Sequence, residues 1–569
     1  MQEHKSDEWN SSERRKIYLF FGLYFLLMVF LFWRCRFGFA YEDETFYLTI
    51  PYRFCLGDKP LLHEWHLSQL AGIILYPFVK LYLVFFHSTD GIVLFFRYFY
   101  TIVWGAGGLF LWNRLRCFSH VGAMAAAYCF VVYAPWSIMA LSYQSMSFLF
   151  LLSSCMILIT SDRPLAFIAA GILYSGSVLC NPYLAVLYPL FTVVMLVMFL
   201  LGRKAYKQIW LSLTIGILIV LIPFILFLLF SGKSSDYIRV LPMLMEDPEH
   251  PVGSHNIFAA FINRLKGTIY FAQNVNSFWK ASVCAAAIIT IAALVFHLNE
   301  LGFLLVCADS IFLMMTYYFG YHTMNFFMFP ACYVGAYCFL CSRDKDISTL
   351  FWGIWIPGIL YALCHMFASN QYYVAFSHAS GVAMLASIVI AARYVSNYYS
   401  VSKHRGYKIA VSCAFCALIL CQFYCELSSR YHLVYWDKDI SFQTIPAEEG
   451  PEKGILMSQD AYEYYDITIK DIRTFCDRDD VQKVLFMTKL PWLYLVAQKE
   501  YSTFSAWEEP VNIHTVERLR QYYSLYPEKI PDAVFFDRDY ADLMPEFEKD
   551  GYTYDDDAEV SQYAYIMRK

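Results

Sequence analysis

Long stretches without a single charge dominate this sequence and limit what it can fold into. The first covers residues 17–33, seventeen uncharged positions in a row that end just before Arg34. A helix needs about 20 apolar residues to cross a bilayer, and only helices and closed barrels satisfy their backbone groups there. Similar runs recur, and 59% of the 569 residues are hydrophobic while 16% are charged. The pattern predicts an all-α polytopic membrane domain, since a soluble protein of this length carries more charge.

Basic residues in the short loops set the expected orientation. Three of them, at positions 14–16, precede the first apolar run, which we interpret as an uncleaved anchor with a cytoplasmic N-terminus. Five short loops are also basic, at 113–116, 161–163, 203–207, 342–345 and 402–408. All five are cytoplasmic only if residues 67–86 lie along the outer interface, or re-enter it, instead of crossing. The bias then predicts about 13 transmembrane helices in the plasma membrane.

The composition changes near residue 428. Charge rises there, and the apolar runs shrink to the strand-length segments KGILMS, KVLFMT and DAVFFD. Helical patterns alternate with these runs, which is typical of an α/β fold. We predict a polytopic membrane domain over 1–427 and a small extracytoplasmic α/β domain over 428–569. Within the membrane domain, residues at about 34–90 are predicted to form an outer catalytic loop, since catalytic residues often lie on loops. The net charge is only −5 without a concentrated basic face, so nucleic acid is not an expected partner.

The predicted outer loop gathers most of the chemically useful side chains. It contains, in chain order, Glu42, Asp43, Glu44, Asp58, Lys59, His63, Glu64 and His66. Carboxylates close to hydrocarbon are costly and are functional candidates by default. A carboxylate can take a proton from an acceptor hydroxyl, and a lysine can hold phosphate oxygens. The combination favours a phosphorylated lipid substrate over an ordinary solvated loop.

Two short motifs in this loop resemble the GT-C superfamily of integral-membrane glycosyltransferases. The resemblance is greatest to the branch with protein O-mannosyltransferases and the lipid A aminoarabinose transferase. One motif is D-E-x-x-Y, formed by Asp43, Glu44 and Tyr47. The other is the acid-Lys-Pro run at residues 58–60, which continues with Leu61 where relatives often have a second proline. The resemblance implies an inverting transfer of a sugar from a polyprenyl-phosphate carrier, at the outer face of the membrane, by a protein with a soluble C-terminal domain.

The resemblance also implies roles for individual residues. Asp43 would be the general base on the acceptor hydroxyl, Glu44 would be a substrate contact or the base itself, and Lys59 would bind the donor phosphate. The further candidates for substrate binding are Tyr47, Asp58, His63, His66 and Gln144. Gln144 stands in the stretch 141–147, where many relatives carry an acid, so a second catalytic carboxylate is not supplied there.

The sequence identifies no cofactor with certainty, and a divalent cation is left open. His63 and His66 are three residues apart, would share a helix face and could ligate a metal together with Asp58. The alternative is a pair of interfacial histidines with apolar bodies and wet tips. The predicted function is a glycosyltransferase that acts on an envelope glycan, lipid or protein. The alternative function is a transporter, flippase or binder of lipid-linked saccharides, which polar or broken helices near the bilayer midplane would favour.

Overall fold

The computed structural model describes residues 11–245, 257–320, 326–369, 371–401, 404–476, 478–507, 511–555 and 560–569. The chain is mostly helical. The helices before the C-terminal domain are α1 Ser11–Arg34, α2 Asp43–Cys55, α3 Leu70–Phe86, α4 Ile92–Leu115, α5 His120–Val132, α6 Tyr143–Thr160, α7 Pro164–Cys180, α8 Leu187–Leu200, α9 Ala205–Ser231, α10 Ser234–Met245, α11 Ile257–Val275, α12 Trp279–Phe296, α13 Asn299–Gly320, α14 Ala331–Leu340, α15 Lys345–Leu350, α16 Ile356–Ala368, α17 Tyr373–Ala379, α18 Gly381–Val401 and α19 Arg405–His432.

Many of these helices have the length and composition of membrane spans. Within the described residues, eleven helical segments are long and apolar enough to cross a membrane, and one of them is Leu67–Phe86. Helices α8 and α9 expose leucine, valine, isoleucine and phenylalanine side chains along their lengths, which is the surface that lipid requires. These features indicate a multi-pass membrane protein. The predicted helical architecture is confirmed, whereas the count of about 13 spans stays a prediction.

The C-terminal residues form the predicted small α/β region. Its elements are β1 Ile445–Pro446, β2 Leu456–Met457, α20 Gln459–Cys476, β3 Lys483–Met487, α21 Leu493–Ala497, β4 Glu500–Tyr501, α22 Ile513–Leu525, β5 Ala533–Asp537, α23 Met544–Lys549, β6 Thr553–Tyr554 and β7 Ala564–Arg568. The main sheet has the order β4-β3-β5-β7-β6. Strand β3 is parallel to β4 and β5, and β7 is antiparallel to β5 and β6. The runs KGILMS, KVLFMT and DAVFFD contain β2, β3 and β5.

The side chains of β5 alternate between the two faces of this sheet, and a helix packs on each face. Phe535 packs against Phe475 of α20, with ring centroids 5.7 Å apart. The neighbours Val534 and Phe536 belong to a second core, which includes Leu519 of α22. Successive side chains of a strand point to opposite faces, so one strand serves both cores. The domain is therefore a three-layer arrangement of helix, sheet and helix.

The C-terminal domain is joined to the chain that follows α1. The backbone N–H of Gly38 donates to the carbonyl of Leu456 at 2.8 Å, and the N–H of Leu456 donates to the carbonyl of Arg36 at 2.7 Å. The end of α1 and strand β2 therefore lie side by side. This contact places the C-terminal end of α1 at the same end of the helical bundle as the C-terminal domain.

Both flanks of α3 also contact the C-terminal domain. Before the helix, the N–H of Trp65 donates to the carbonyl of Phe504 at 2.7 Å. After it, Thr89 Oγ1 donates to the carbonyl of Leu495 at 2.6 Å. The start and the end of α3 thus reach the same small domain, although the helix is about 25 Å long at 1.5 Å per residue.

Candidate functional site

Helix α2 carries the two predicted motifs at its opposite ends. Asp43 and Glu44 form its first turn, where the helix dipole favours negative charge, and the side chains from Glu44 to Phe54 are buried. Arg53 lies in its last turn, and the acid-Lys-Pro run at residues 58–60 follows. Ten residues of helix separate Asp43 from Arg53, a rise of about 15 Å. The structure does not bring the two motifs together.

The Asp43 carboxylate is half-buried and has a tyrosine neighbour. Tyr435 follows α19 in the chain and donates a hydrogen bond to Asp43. Burial raises the pKa of the Tyr435 phenol, and the charge of Asp43 raises it further. The phenol therefore keeps its proton and orients the carboxylate. Because Asp43 is not sealed in the core, it is accessible to a substrate in a way that a buried carboxylate is not.

An aromatic surface surrounds the first turns of α2. We define the outer aromatic cluster as Tyr47, Trp136, Tyr143, Tyr435 and Trp507, which contact the buried side chains of Phe46 and Ile50 or their neighbours. Tyr47 is itself buried, and its ring lies 6.0 Å from the ring of Tyr143. Small-molecule sites are lined mainly by apolar and aromatic groups with a few polar ones. The cluster with Asp43 has this composition.

The loop between α5 and α6 brings Gln144 into the same region. Gln144 donates from Nε2 to the hydroxyl of Tyr143 at 3.0 Å. In that loop Trp136 and Ser137 have φ angles of 58° and 60°, in the left-handed region. Such backbone costs about 1–3 kcal/mol for residues other than glycine and is concentrated at functional sites. The predicted candidates Asp43, Tyr47 and Gln144 are thus connected through one aromatic surface.

Glu44 has an environment unlike that of its neighbour Asp43. It is 3% exposed, and Arg97 of α4 holds it with two hydrogen bonds, from Nε at 2.6 Å and from Nη2 at 2.5 Å. The other donors of Arg97 bind three backbone carbonyls at the end of α1. Loss of the Glu44 carboxylate would leave a buried arginine without its counter-ion. The pair therefore fixes the first turn of α2 against α1 and α4.

The acid of the second motif belongs to a buried network of charges. Asp58 accepts a hydrogen bond from Arg53 Nε, and its Oδ1 lies 2.5 Å from Lys529 Nζ of the C-terminal domain. Arg53 also donates to Glu64 at 2.9 Å. Burial alone would raise the pKa of Asp58, but Arg53, His63 and Lys529 together lower it well below its usual range. We call Arg53, Asp58, Glu64 and Lys529 the Asp58 network.

The remaining predicted residues lie around this network. Lys59 is exposed. His63 Nδ1 is 3.2 Å from Asp58 Oδ1, whereas His66 Nδ1 is 2.7 Å from the hydroxyl of Ser68. Residues 63–66 are not helical, so the predicted shared helix face of the two histidines is wrong.

A metal centre is not assembled from these side chains. In the part of the chain that the structure describes, no group of three His, Cys, Asp or Glu residues could hold a metal ion. The candidate set was Asp58, His63 and His66. The oxygens of Asp58 already bind Arg53 and a lysine, and His66 is turned away.

Sequence reasoning missed a set of buried polar groups near the end of α19. Glu426 and Arg430 are 3% and 4% exposed, and with Tyr133 and Ser137 they line a narrow space. Among the described residues, Arg430 Nε and Nη1 and Glu426 Oε2 have no hydrogen-bond partner. Such groups cost free energy unless something binds them. The sequence offered one signal for this set, because Glu426 and Arg430 stand four residues apart at the end of an apolar run. The predicted domain boundary at 427–428 separated the two residues.

The C-terminal domain adds one more carboxylate near the start of α2. Glu452 is 1% exposed, and its Oε2 has no hydrogen-bond partner among the described atoms. Burial raises the pKa of Glu452 to about 8, the charge of Arg97 opposes the shift and that of Glu44 supports it. Proton uptake by Glu452 therefore affects the same buried pair that positions α2.

Comparison with known proteins does not assign the chain to a family. No protein-family profile matches the chain, and no curated protein matches it. The likeness to GT-C glycosyltransferases rests on the two short motifs, so the function has to be argued from the geometry around α2.

Proposed function

We propose that the protein is a membrane glycosyltransferase of GT-C type. It would transfer a sugar from a polyprenyl-phosphate carrier to an envelope glycan, lipid or protein outside the cytoplasm. The observation that carries the proposal is the contrast among three acids. Asp43 is a half-buried carboxylate beside the outer aromatic cluster, whereas arginines hold Glu44 and Asp58. An accessible carboxylate among aromatic rings suits a general base for a hydroxyl acceptor.

The reaction would be a single displacement with inversion. Asp43 accepts the proton of the acceptor hydroxyl, and that oxygen attacks the anomeric carbon of the donor sugar. The bond between this carbon and the phosphate oxygen breaks, and its electron pair leaves with the polyprenyl phosphate. Inverting glycosidases pair a base with a general acid. A phosphate leaves as a stabilised anion, so one base is sufficient here, and Glu44 positions it through Arg97.

The donor phosphate needs a cation close to Asp43. Lys59, the sequence candidate, follows the far end of α2, about 15 Å or more away along the helix. The phosphate and the acceptor hydroxyl flank the same carbon, so their partners must lie near each other. Arg430 precedes Tyr435, the hydrogen-bond partner of Asp43, by five residues, and its two unpartnered donors suit phosphate oxygens. We therefore assign the donor phosphate to Arg430 in preference to Lys59.

Entry of the donor would require a local rearrangement. The space beside Arg430 has no room for a water molecule in this structure. Its walls include Tyr133 and Ser137, from the segment that also carries the strained Trp136. A shift of this segment would open the space and release the strain. We therefore expect the loop between α5 and α6 to move when the donor binds.

The proposed topology follows from the contacts of α3. If Leu67–Phe86 crossed the bilayer, the C-terminal domain would have to reach both membrane faces, because both flanks of the helix contact it. An orientation along the interface avoids this. The three shorter apolar helices would then complete a total of about 13 crossings, with the termini on opposite sides. The plasma membrane, a cytoplasmic N-terminus and an outer C-terminal domain are part of this proposal.

A second candidate function has one observation in its favour. Glu426, Arg430 and the neighbouring Gln422 place polar atoms without partners inside a candidate span, among the described residues. Ionisable residues in such segments often mark a path for a polar substrate. A transporter or binder of lipid-linked saccharides would use them without breaking the glycosidic bond.

One experiment separates the two functions. The full-length protein is purified in detergent and incubated with a panel of polyprenyl-phosphate sugars and envelope acceptors, and products are measured by mass spectrometry. A glycosyltransferase releases one polyprenyl phosphate for each sugar transferred. If donors bind with measurable affinity while the donor stays intact with every acceptor, the enzyme proposal fails and the transporter is favoured. Comparison of envelope glycans with and without the protein then identifies the acceptor.

A further inference from the structure

A wide pocket opens at the end of the helical bundle that is opposite the C-terminal domain. Its volume is about 1060 Å³, and it lies between the end of α4, the start of α5, the end of α18 and the first half of α19. This exceeds what most buried small-molecule sites need, since those span about 300–1,000 Å³. The pocket is separate from Asp43 and from every residue that the proposed function uses.

The position of the pocket relative to the bilayer follows from α19. Ser412 lines the pocket, and Arg430 lies near the C-terminal domain on the same helix. Eighteen residues separate them, a rise of about 27 Å along the helix. The hydrocarbon core of a bilayer is about 30 Å thick. The pocket is therefore at the level of the lipid headgroups on the opposite face of the membrane.

Part of the pocket lining is basic. Arg114, Arg116 and Arg393 line the pocket, and the Nε atoms of Arg114 and Arg393 are buried without a hydrogen-bond partner in the described structure. Arg393 is partly neutralised, because its Nη2 lies 2.8 Å from Asp346 and 3.4 Å from Asp344. Among the described residues Arg114 forms no salt bridge, and its guanidinium lies 5.2 Å from the centroid of the Phe110 ring. An anion is the ligand that these donors suit.

The lining combines basic groups with hydroxyls and apolar surface. Ser396 and Ser412 supply hydroxyl groups, while Phe118, Val395 and Phe415 supply apolar surface. A free inorganic anion has no use for that apolar surface. A glycerophospholipid has a phosphate, ester oxygens and acyl chains, and the lining offers a partner of the right chemistry for each of these groups. Basic pockets between transmembrane helices are known to take anionic headgroups.

We propose that this pocket binds the phosphate of an anionic glycerophospholipid from the surrounding membrane. Arg114 and Arg116 hold the phosphate, the two serines contact the glycerol region, and the apolar side chains contact the upper acyl chains. The lipid fills the gap between α4, α5, α18 and α19, and so couples the packing of these helices to the lipid composition. The proposal does not depend on the glycosyltransferase reaction.

The test measures lipid binding by the full-length protein. Native mass spectrometry and titration with nanodiscs compare phosphatidylcholine alone with phosphatidylcholine that contains phosphatidylglycerol. Replacement of both arginines, Arg114→Gln with Arg116→Gln, should weaken phosphatidylglycerol binding about tenfold or more. The matched control is Arg36→Gln, the same change at an exposed arginine on the other face, and it should leave binding unchanged.

Two further arms keep the test decisive. Ser412→Trp fills the pocket without removal of a charge and should also displace the lipid; thermal unfolding of each variant excludes a folding defect. Glycerol 3-phosphate and inorganic phosphate serve as probes without acyl chains. If they bind as tightly as the lipid, the occupant is a soluble phosphate and the lipid proposal is overturned. It is equally overturned if the arginine variant and the filled pocket both bind phosphatidylglycerol like the wild type.

Discussion

The two ends of α2 look alike in sequence and differ in structure. Each has an acid within a motif, with aromatic residues nearby. At the start, Asp43 is half-buried and faces the outer aromatic cluster. At the end, Asp58 is sealed under the C-terminal domain and bound by Arg53 and Lys529. The comparison teaches that burial, and not the residue type, decides whether a carboxylate is available for chemistry.

The same lesson applies within a single turn. Asp43 and Glu44 are adjacent, and sequence alone could not rank them as bases. Arg97 pairs with Glu44 from a position 53 residues away. Glu44 is therefore buried in that pair, and the half-buried Asp43 is the candidate base, which the pair between Glu44 and Arg97 holds in place.

Asp43→Asn should have the largest effect on transfer. The amide keeps the size of the side chain but cannot accept the proton, so turnover should fall about 10²- to 10⁴-fold, the usual share of a general base. Donor binding should be retained. The matched control is Asp90→Asn, the same change at another half-buried acid of the outer segment. Near-normal transfer by Asp43→Asn would show that Asp43 is not the general base, and the two acids at the ends of α2 would then not differ in function.

Arg53→Met should have the largest effect on stability. Removal of one partner from a buried charge pair typically costs about 3–5 kcal/mol, because the other charges stay buried without compensation. Asp58 and Glu64 would both lose a partner. The midpoint of thermal unfolding in detergent should drop, with Arg36→Met as an exposed control. A drop no larger than that of the control would show that the Asp58 network contributes little.

Arg430→Gln and Lys59→Ala distinguish the two candidate phosphate partners. Hydrogen bonds to charged groups are worth about 1.5–3 kcal/mol, so loss of Arg430 should weaken donor binding about 10- to 100-fold. Lys59→Ala should leave the dissociation constant within about threefold, since Lys59 is exposed and distant. Donor titration of both variants checks this. If Lys59→Ala weakens donor binding more than Arg430→Gln does, Lys59 of the second motif is the phosphate partner.

The smallest expected effect is a difference in pH dependence between the two ends. The lowered pKa of Asp58 contributes stability above its unfolded value of about 3.9, and this is lost as the pH falls through the folded pKa. For Glu452, whose pKa burial raises to about 8, the folded state takes up the proton first. Stability therefore falls as the pH rises from the unfolded value of about 4.3 towards 8.

Thermal unfolding across pH checks both signs. Asp58→Asn should destabilise at neutral pH, and its difference from the wild type should narrow in acid. Glu452→Gln should remove the loss of stability between pH 5 and about 8. Parallel profiles for the wild type and Glu452→Gln would contradict the assignment of that titration.

The sequence was sufficient for features that depend on local pattern. Apolar runs predicted the long helices, and KVLFMT and DAVFFD predicted strands β3 and β5, because burial of a strand or helix shows directly in its residues. The position of Asp43 shortly after the end of α1 followed from the end of the first run. These features need no knowledge of distant contacts.

Features that depend on distant partners were beyond the sequence. Nothing local shows that Arg53 binds the carbonyl of Thr503, 450 residues away. The exposure of Lys59 and the burial of Asp58 depend on where the C-terminal domain lies. Arg430 was overlooked because its unpartnered donors and the space beside it are visible only in the folded chain. Asp58 was predicted to be a substrate contact, and only the structure shows that Arg53 and Lys529 pair with it.

The contact between Arg53 and the C-terminal domain has a consequence for biosynthesis. Arg53 emerges from the ribosome early, whereas its partners Thr503 and Tyr522 are translated 450 and 469 residues later. The network around Arg53 can therefore form only after the C-terminal domain has been synthesised. Its completion depends on the presence of that domain. A chain that ends at residue 427 should be degraded rapidly in pulse-chase experiments, and a long-lived truncated chain would show that the early segment folds without the C-terminal domain.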